Sequence, residues 1–426
     1  MAWSLTKRNL RRVSAVLSPA IRLFSGESPP ERGRRFVALW GNGDYGRLGH
    51  GGLESQWTPR VCTFFDSISN GDPLVSLSCG GAHTLFLTES GRVFATGLNK
   101  FGQLGINSSQ THSVDPVEVL GFHEKVVEVS AGYHHSCAVT EDGVLFVWGN
   151  NSSGQLGLGK KGKKNVEKPA KVDCLVDVKV KMAALGSEHS IAITDEGEVL
   201  SWGAGGAGRL GHGHKSSFFS LFSSSSEYTP RLIKNFDGLK VKCIAAGLLH
   251  SACIDERGSV FLFGERTTSK MGFTRVNDAS VPSPIPDLPF SEMVSCGGYH
   301  TCVITNQGEL YTWGSNENGC LGLGDTDMVQ TPQNVISSLL KFPVSHVSCG
   351  WKHTAVISGG RVFAWGWGGS NGTFFEDGHS SGGQLGHGND VDYFKPTMVN
   401  LDANVKALCV SCGFNHTGAI FEYIET

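Results

Sequence analysis

One short pattern, Gly-x-x-His followed by Ser or Thr, recurs along the whole chain and limits the folds open to it. Its seven copies are separated by 52, 54, 61, 50, 53 and 63 residues. A regular period of roughly 50–60 residues indicates one supersecondary unit per copy. The seven histidines are His83, His135, His189, His250, His300, His353 and His416.

Each histidine segment except the last is followed by a segment that ends in an aromatic-Gly or Thr-Gly pair, as in Trp148-Gly149 and Thr96-Gly97. Between the two segments, apolar and polar residues alternate around a loop that contains glycine. This alternation predicts an antiparallel β-hairpin in which glycine supplies a left-handed backbone. The turn glycines are Gly91, Gly143, Gly197, Gly258, Gly308 and Gly360.

The two ends of the chain supply the missing seventh hairpin. Residues 36–41 open the array without a histidine segment, and the segment that begins at His416 has no partner after it. Both sheet edges are protected only if these two strands share a sheet. Repeats of four short strands at this period are typical of a propeller. We therefore predict an all-β, closed seven-bladed β-propeller over residues 36–426, with the N- and C-terminal strands in one blade.

The copies resemble the repeats of the regulator of chromosome condensation family, which carry Gly-x-x-His and Trp-Gly…Gly-Gln-Leu-Gly in every blade. The resemblance extends over residues 36–426, and the fifth copy is the weakest because Gly-Gln-Leu-Gly is missing after Gly264. It implies a seven-bladed propeller. For the plant mitochondrial branch of the family it also implies a part in organellar transcript maturation and in the assembly of respiratory complex I.

The first 24 residues are predicted to be a mitochondrial transit peptide, followed by a linker at 25–35. They contain five basic residues and several serines, and the first acidic residue is Glu27. Such leaders are typical of organelle targeting, and Arg22-Leu-Phe24-Ser25 resembles a plant mitochondrial processing site. The alternative is a basic tail for nuclear import or nucleic acid. We expect the mitochondrial matrix.

Charge argues against general binding to nucleic acid. The chain has 36 basic and 39 acidic residues, so loss of the five basic residues in the leader leaves a net charge of −8. An acidic body does not favour phosphate backbones. One lysine cluster is an exception, interpreted either as a solvated loop or as a contact for RNA or an acidic protein. It comprises Lys160, Lys161, Lys163, Lys164, Lys168 and Lys171.

Several catalytic and cofactor motifs are matched only because glycines recur at repeat positions. Gly41-x-Gly43-x-x-Gly46 satisfies the dinucleotide fingerprint without a helix pattern after it. In a near-match to a phosphate-binding loop, Lys161 replaces the required hydroxyl residue. Equivalent histidines on seven blades lie around a circle, so we assign them a structural role, bridging strands by hydrogen bonds, and predict no metal site. We predict a non-enzymatic protein with no catalytic residues and no cofactor.

The twelve cysteines are predicted to be free, packed thiols. Four of them stand four residues before a repeat histidine, where other copies have Ala or Leu. Small apolar residues replace one another there, as buried thiols do. Cys409-x-x-Cys412 matches a redox half-site, but strand alternation points the two side chains to opposite faces. No run of 18 apolar residues exists, so no membrane span is expected.

Function in a propeller is expected in loops that break the repeat. Gly366 to Gln384 spans 18 positions where five other copies use six, and the fourth unit carries extra residues with a serine run. Exposed aromatics are enriched at interfaces; a tolerated insertion is the alternative. The candidate partner-binding residues are Phe374, Phe375, Glu376, Asp377, Phe218, Phe219 and Phe222, with Lys160, Lys161, Lys163 and Lys164.

The resemblance leaves two functions open. The favoured one is a monomeric scaffold or adaptor in the matrix that binds splicing or RNA-processing proteins, with RNA contacted only indirectly or weakly. The alternative is a guanine-nucleotide exchange factor for a mitochondrial small GTPase, because the family includes such a factor. The family also includes a plant UV-B photoreceptor with several Gly-Trp-Arg-His-Thr units. Here Trp351 alone occupies that position, so we do not expect light sensing.

Overall fold

The computed structural model describes residues 33–68, 71–106, 108–213, 226–236, 238–265, 279–369, 382–401 and 404–424. These residues form seven four-stranded antiparallel sheets, which confirms the predicted seven-bladed propeller. We number the sheets as blades 1 to 7, beginning with the blade that contains both ends of the described chain.

Blade 1 consists of β1 (Arg35–Gly41), β2 (Gln56–Val61), β27 (Val405–Cys412) and β28 (His416–Tyr423). Blades 2 to 4 consist of β3 (Leu74–Cys79), β4 (His83–Thr88), β5 (Val93–Leu98) and β6 (His112–Val119); β7 (Val126–Ala131), β8 (His135–Thr140), β9 (Leu145–Asn150) and β10 (Asn165–Lys171); and β11 (Val180–Leu185), β12 (His189–Thr194), β13 (Val199–Gly203) and β14 (Glu227–Leu232).

Blades 5 to 7 consist of β15 (Val241–Ala246), β16 (His250–Asp255), β17 (Val260–Gly264) and β18 (Ala279–Pro284); β19 (Ser291–Cys296), β20 (His300–Thr305), β21 (Leu310–Gly314) and β22 (Val329–Asn334); and β23 (Val344–Cys349), β24 (His353–Ser358), β25 (Arg361–Gly366) and β26 (Tyr393–Met398). The described loops include five short 3₁₀ helices, at Asp44–Gly46, Thr63–Ser67, Asp173–Leu175, Gly206–Gly208 and Lys234–Phe236.

Blade 1 closes the ring as predicted from the missing hairpin. Its strand order is β2–β1–β28–β27. Along the β1–β28 pair, Val37 lies opposite Ile420 and Trp40 lies opposite Thr417. The first and last described strands are therefore central neighbours in one sheet, and neither is left as an unpaired edge.

The hairpin between the second and third strands turns at the predicted glycine in every blade that has one. In blade 3, Gly143 has φ 86°, and its amide donates to the carbonyl of Thr140 at 2.9 Å. A Cβ at this position would lie 2.8 Å from the Cβ of Lys179 in the next blade. Glycine is required here both by the left-handed backbone and by the close approach of the neighbouring blade.

The apolar core is divided among the interfaces between neighbouring blades, where four indole rings are fully buried. Each indole nitrogen needs a hydrogen-bond acceptor once it is buried. Trp148 Nε1 donates to the carbonyl of Gln103 at 2.9 Å, and Trp202 Nε1 donates to that of Gln155 at 2.8 Å. The Gly-Gln-Leu-Gly loop of one blade therefore receives the Trp-Gly strand of the next, which explains why the two motifs recur together.

The fingerprint glycines and the cysteines have the structural settings expected from the repeat. Gly41 and Gly43 precede the short 3₁₀ helix Asp44–Gly46, and Gly46 is its last residue, so no α-helix follows the fingerprint. All twelve cysteines are free. Cys409 and Cys412 pack into two different apolar clusters, on opposite sides of β27. In the described part of the chain, no helix is long and apolar enough to cross a membrane.

Candidate functional site

The Gly-x-x-His loops and the Gly-Gln-Leu-Gly loops lie at the same end of each sheet, because successive strands run antiparallel. We call this end of the propeller the axial face. The hairpin glycines lie at the opposite end. Among the predicted partner-binding residues, the four lysines of the β9–β10 loop belong to the axial face. Phe218, Phe219, Phe222, Phe374, Phe375, Glu376 and Asp377 lie outside the described residues.

The seven repeat histidines form a continuous ring of hydrogen bonds beneath the axial face. Each imidazole Nε2 contacts the hydroxyl that follows the histidine of the next blade, at 2.8 to 3.2 Å. The ring passes through blade 1, because His416 contacts Thr84 of blade 2 and Thr417 is contacted by His353 of blade 7. The pairs are His83–Ser136, His135–Ser190, His189–Ser251, His250–Thr301, His300–Thr354, His353–Thr417 and His416–Thr84.

In the described part of the chain, six of the seven hydroxyl groups donate to a backbone carbonyl, which fixes the tautomer of the histidine that each one contacts. The Ser136 hydroxyl donates to the carbonyl of Gln103 at 2.8 Å, so its oxygen must accept the proton that His83 carries on Nε2. Burial lowers the pKa of His83, and likewise that of His135, to about 3. The imidazoles are therefore neutral at physiological pH. They act as links between blades, and each points to its neighbour rather than to a common centre.

One group of side chains has the composition of a soft-metal site. A ring nitrogen of His300 and the sulfurs of Cys302 and Cys349 lie within 4.8 Å of one another, and all three residues are buried. His300 Nε2 already contacts the Thr354 hydroxyl at 2.9 Å. A metal here would have to compete with one link of the histidine ring.

The axial face has a shallow cavity of about 110 Å³ at the centre of the ring. Its walls are glycines and small or apolar residues of the Gly-x-x-His loops, contributed by all seven blades. Backbone hydrogen bonds join successive loops, as between the amide of Tyr133 and the carbonyl of Gly186 at 3.1 Å. The mouth of the cavity is therefore a rigid rim on which side chains are held in place.

Aromatic side chains line one side of this rim and contact one another in series; we call them the aromatic arc. Trp351 stacks on Phe414 with ring centroids 4.2 Å apart and an interplanar angle of 11°. Phe414 contacts Tyr133 at 5.2 Å. His134 lies between Tyr133 at 4.2 Å and Phe101 at 4.6 Å. The aromatic arc comprises Phe101, Tyr133, His134, Trp351, Trp367 and Phe414.

Glycine in blade 2 makes this series of contacts possible. Tyr133 belongs to blade 3 and Phe414 to blade 1, so blade 2 lies between them. At the equivalent position blade 2 has Gly81, and a Cβ there would lie 2.7 Å from Tyr133 Cδ2. The missing side chain lets the tyrosine ring extend across blade 2 to the phenylalanine.

Two buried arginines support the axial face from below. Arg47 Nη1 donates to the carbonyl of Gly81 at 3.3 Å, and its Nε donates to that of Asp44 at 3.0 Å. Burial lowers the pKa of Arg47 to about 10, so it stays charged. Arg209 similarly donates to the carbonyl of Leu248 at 3.2 Å. Both arginines occupy the position where other copies have the Gln of Gly-Gln-Leu-Gly. This substitution of Arg for Gln is the feature of the sequence from which the role of the two arginines could have been predicted.

The lysine loop lies next to one end of the aromatic arc. Lys160, Lys161, Lys163 and Lys164 are exposed. The amide of Asn151 donates to the carbonyl of Lys164 at 2.7 Å, and the preceding amide, of Asn150, donates to the carbonyl of His134 at 2.9 Å. The structure thus brings together the predicted lysines and an aromatic group that sequence reasoning did not assign to a binding site.

The chain matches one protein-family model over most of its length. Residues 36–419 match the RCC1-like domain. Among known proteins, the ultraviolet-B receptor UVR8 of Arabidopsis thaliana is 32% identical over 401 residues, covering 92% of this chain and 82% of the receptor. The regulator of chromosome condensation of Homo sapiens is 30% identical over 414 residues, covering 89% of each protein.

Solved structures show the same fold. Prp20p from Saccharomyces cerevisiae matches with a TM-score of 0.76 at 23% identity, covering 92% of each chain. These matches confirm the resemblance predicted from the repeats.

Proposed function

Since this chain belongs to the RCC1-like domain family, we propose that its propeller is a non-enzymatic scaffold that binds protein partners through the axial face. Its site of action in this proposal is the mitochondrial matrix. There it supports transcript maturation, including intron splicing, and the biogenesis of complex I. The basic leader and the resemblance to the plant mitochondrial branch support this location and this process.

The aromatic arc is the observation that carries the proposal. Interfaces concentrate binding energy in a few aromatic residues held on a rigid support and surrounded by polar groups. Tyr133 is 37% exposed, and Trp351 and Phe414 are partly exposed beside the cavity. Lys352 lies over the Trp351 ring at 4.9 Å. This combination suits a protein surface better than a small substrate, because the cavity beneath it holds only about 110 Å³.

Chemistry of the described groups favours binding over catalysis. The repeat histidines are neutral and use Nε2 within the ring. Burial raises the pKa of the Cys62 thiol to about 12 and that of Cys409 to about 11, so neither is a ready nucleophile. Arg47 and Arg209 are occupied by backbone carbonyls.

A second candidate, nucleotide exchange on a mitochondrial small GTPase, is supported by the 30% identity to the regulator of chromosome condensation. Such a protein acts without a covalent step, so a scaffold of this kind suits it equally well. The two candidates differ in the partner that the axial face selects.

Affinity purification of the tagged full chain from isolated mitochondria separates the two candidates. The variant Tyr133→Ala/Trp351→Ala/Phe414→Ala removes the centre of the aromatic arc. The control is Phe290→Ala, because Phe290 is 40% exposed and also lies under a lysine, but its carbonyl accepts from Asn306 in a hairpin turn at the opposite end. We expect splicing and RNA-processing proteins with the wild type and the control but not with the triple variant. Recovery of a GTPase instead, together with faster release of its labelled GDP, would establish the alternative.

A further inference from the structure

We propose that the lysine loop and the adjacent end of the aromatic arc form a binding surface for single-stranded RNA. The inference rests on the proposed role in transcript maturation and gives that role a direct RNA contact. In addition to the protein partners proposed above, the axial face would then bind single-stranded RNA.

The charge of the loop is strongly one-sided. Residues 160–171 contain six lysines and one acidic residue, Glu167. Within the described part of the chain, no carboxylate forms an ion pair with Lys160, Lys161, Lys163 or Lys164, although six ion pairs are formed elsewhere. Ammonium groups held together without counter-charges attract phosphates, since binding releases the counterions of the nucleic acid.

Aromatic rings begin where the lysines end. The hydrogen bonds of Asn150 and Asn151 tie His134 to the base of the loop. The outer strand of the loop also contacts the arc, since a Cβ on Gly102, next to Phe101, would lie 2.7 Å from the Cα of Glu167. Lys100 lies over the Phe101 ring at 6.0 Å. The lysine loop therefore adjoins Phe101 and His134 at its base, and the ring contacts continue from there to Tyr133 at the rim of the cavity.

A lysine group next to a series of aromatic rings favours unpaired bases over a folded acidic protein. Single-strand binding combines a basic track for the backbone with aromatic rings for the bases, each stacked base contributing about 1–3 kcal/mol. Burial and the nearby Lys100 lower the pKa of His134 to about 4, so this ring is neutral and can stack among Phe101 and Tyr133. A duplex would present its phosphates to the lysines but no free base to the rings.

Fluorescence anisotropy with the full-length protein and a labelled 20-nucleotide single-stranded RNA at low salt tests the inference. The test variant is Lys160→Gln/Lys161→Gln/Lys163→Gln/Lys164→Gln. The matched control removes four exposed lysines at the hairpin end of the blades, Lys179→Gln/Lys240→Gln/Lys341→Gln/Lys406→Gln. Both variants keep the basic leader, so its contribution to binding is the same in each.

We expect the test variant to bind the RNA at least about 10-fold more weakly than the wild type. The slope of log binding constant against log salt concentration should become shallower by about 0.7 for each phosphate that a lysine no longer neutralises. The control should stay within about twofold of the wild type. Phe101→Ala should weaken binding by about 5-fold or more, as removal of the ring under one stacked base predicts.

Any of the following results would overturn the inference: equal losses in the two lysine variants, duplex RNA bound as tightly as single-stranded RNA with no effect of Phe101→Ala, or tighter binding to single-stranded DNA of the same sequence. Binding of the lysine loop to an acidic protein without binding to RNA would likewise overturn it. Failure of the wild-type protein to bind single-stranded RNA, with continued recovery of RNA-processing proteins by the wild type, would refute this inference alone. Absence of those proteins from the wild-type purification would refute the proposed function.

Discussion

His416 Nε2 lies 2.9 Å from the hydroxyl of Thr84, so a residue ten positions from the end of the chain is hydrogen-bonded to the second blade. Thr84 is fully buried and also donates to the carbonyl of Arg47 at 2.8 Å. This one hydroxyl therefore joins blades 1 and 2 and completes the histidine ring.

Thr84→Val should destabilise the propeller, because it keeps the shape of the side chain and removes the hydroxyl. His416 and the carbonyl of Arg47 each lose a partner, at about 1–3 kcal/mol for a buried group left unpaired. The free energy of unfolding measured with urea checks this. Thr331→Val, at an exposed position, should change it by less than about 0.5 kcal/mol. Equal effects of the two changes would contradict a closing role for Thr84.

Acid should unfold the protein from a pH well above the range in which carboxylates titrate. Burial lowers the pKa of His83, His135, His300 and His353 to about 3 and that of His250 to about 4. The unfolded chain takes up protons near pH 6.5, and the folded chain does not. The contribution of these histidines to the free energy of unfolding is therefore fully present above pH 6.5. As the pH decreases below 6.5, the free energy of unfolding falls by about 1.4 kcal/mol per pH unit for each histidine.

The urea midpoint between pH 7 and pH 5 measures this loss. Burial raises the pKa of Glu128 to about 8, and this single group acts in the opposite direction, gaining stability as pH falls. Glu128→Gln should therefore steepen the acid loss. A midpoint that does not change down to pH 5 would show that the histidines titrate normally in the folded protein.

Gly81→Ala should disrupt the aromatic arc without replacing any of its residues. The new methyl group would overlap both the backbone carbonyl and the ring of Tyr133 and displace that residue from Phe414. We expect a cost of about 1–3 kcal/mol for overpacking. A lower melting temperature and reduced partner recovery are expected. Gly71→Ala is the control, because a Cβ there meets no atom within 4 Å. Unchanged partner recovery with Gly81→Ala would separate the arc from partner binding.

Two truncations test ring closure and targeting separately. Deletion of residues 36–41 removes a central strand of blade 1 and exposes the edge of β28, so aggregation is expected by size-exclusion chromatography. Deletion of residues 1–24 should leave a monomeric, folded protein that is no longer imported into mitochondria, which imaging of a fluorescent fusion shows. Equal behaviour of the two truncations in solution would contradict closure.

The repeat made the fold predictable, because each blade is encoded by local signals: a histidine, a turn glycine and a Trp-Gly pair at constant spacing. Closure could be predicted because a single hairpin was missing and both of its halves were visible at the ends. The aromatic arc could not, since Tyr133, Trp351 and Phe414 are far apart in sequence and occupy a position where the other four copies have Gly, Ser or Leu. Their contact depends on the ring geometry and on the absence of a side chain at Gly81.

The histidine ring uses the repeat histidine of each blade and the hydroxyl residue after it, and leaves the two residues before that histidine out of the linkage. The first of these two positions lines the cavity in every blade. In a propeller of this kind, one residue in each of the seven loops can therefore be substituted without breaking the hydrogen bonds that join the blades. The binding surface can change in this way while the fold stays the same. New specificities require few substitutions and no change of fold.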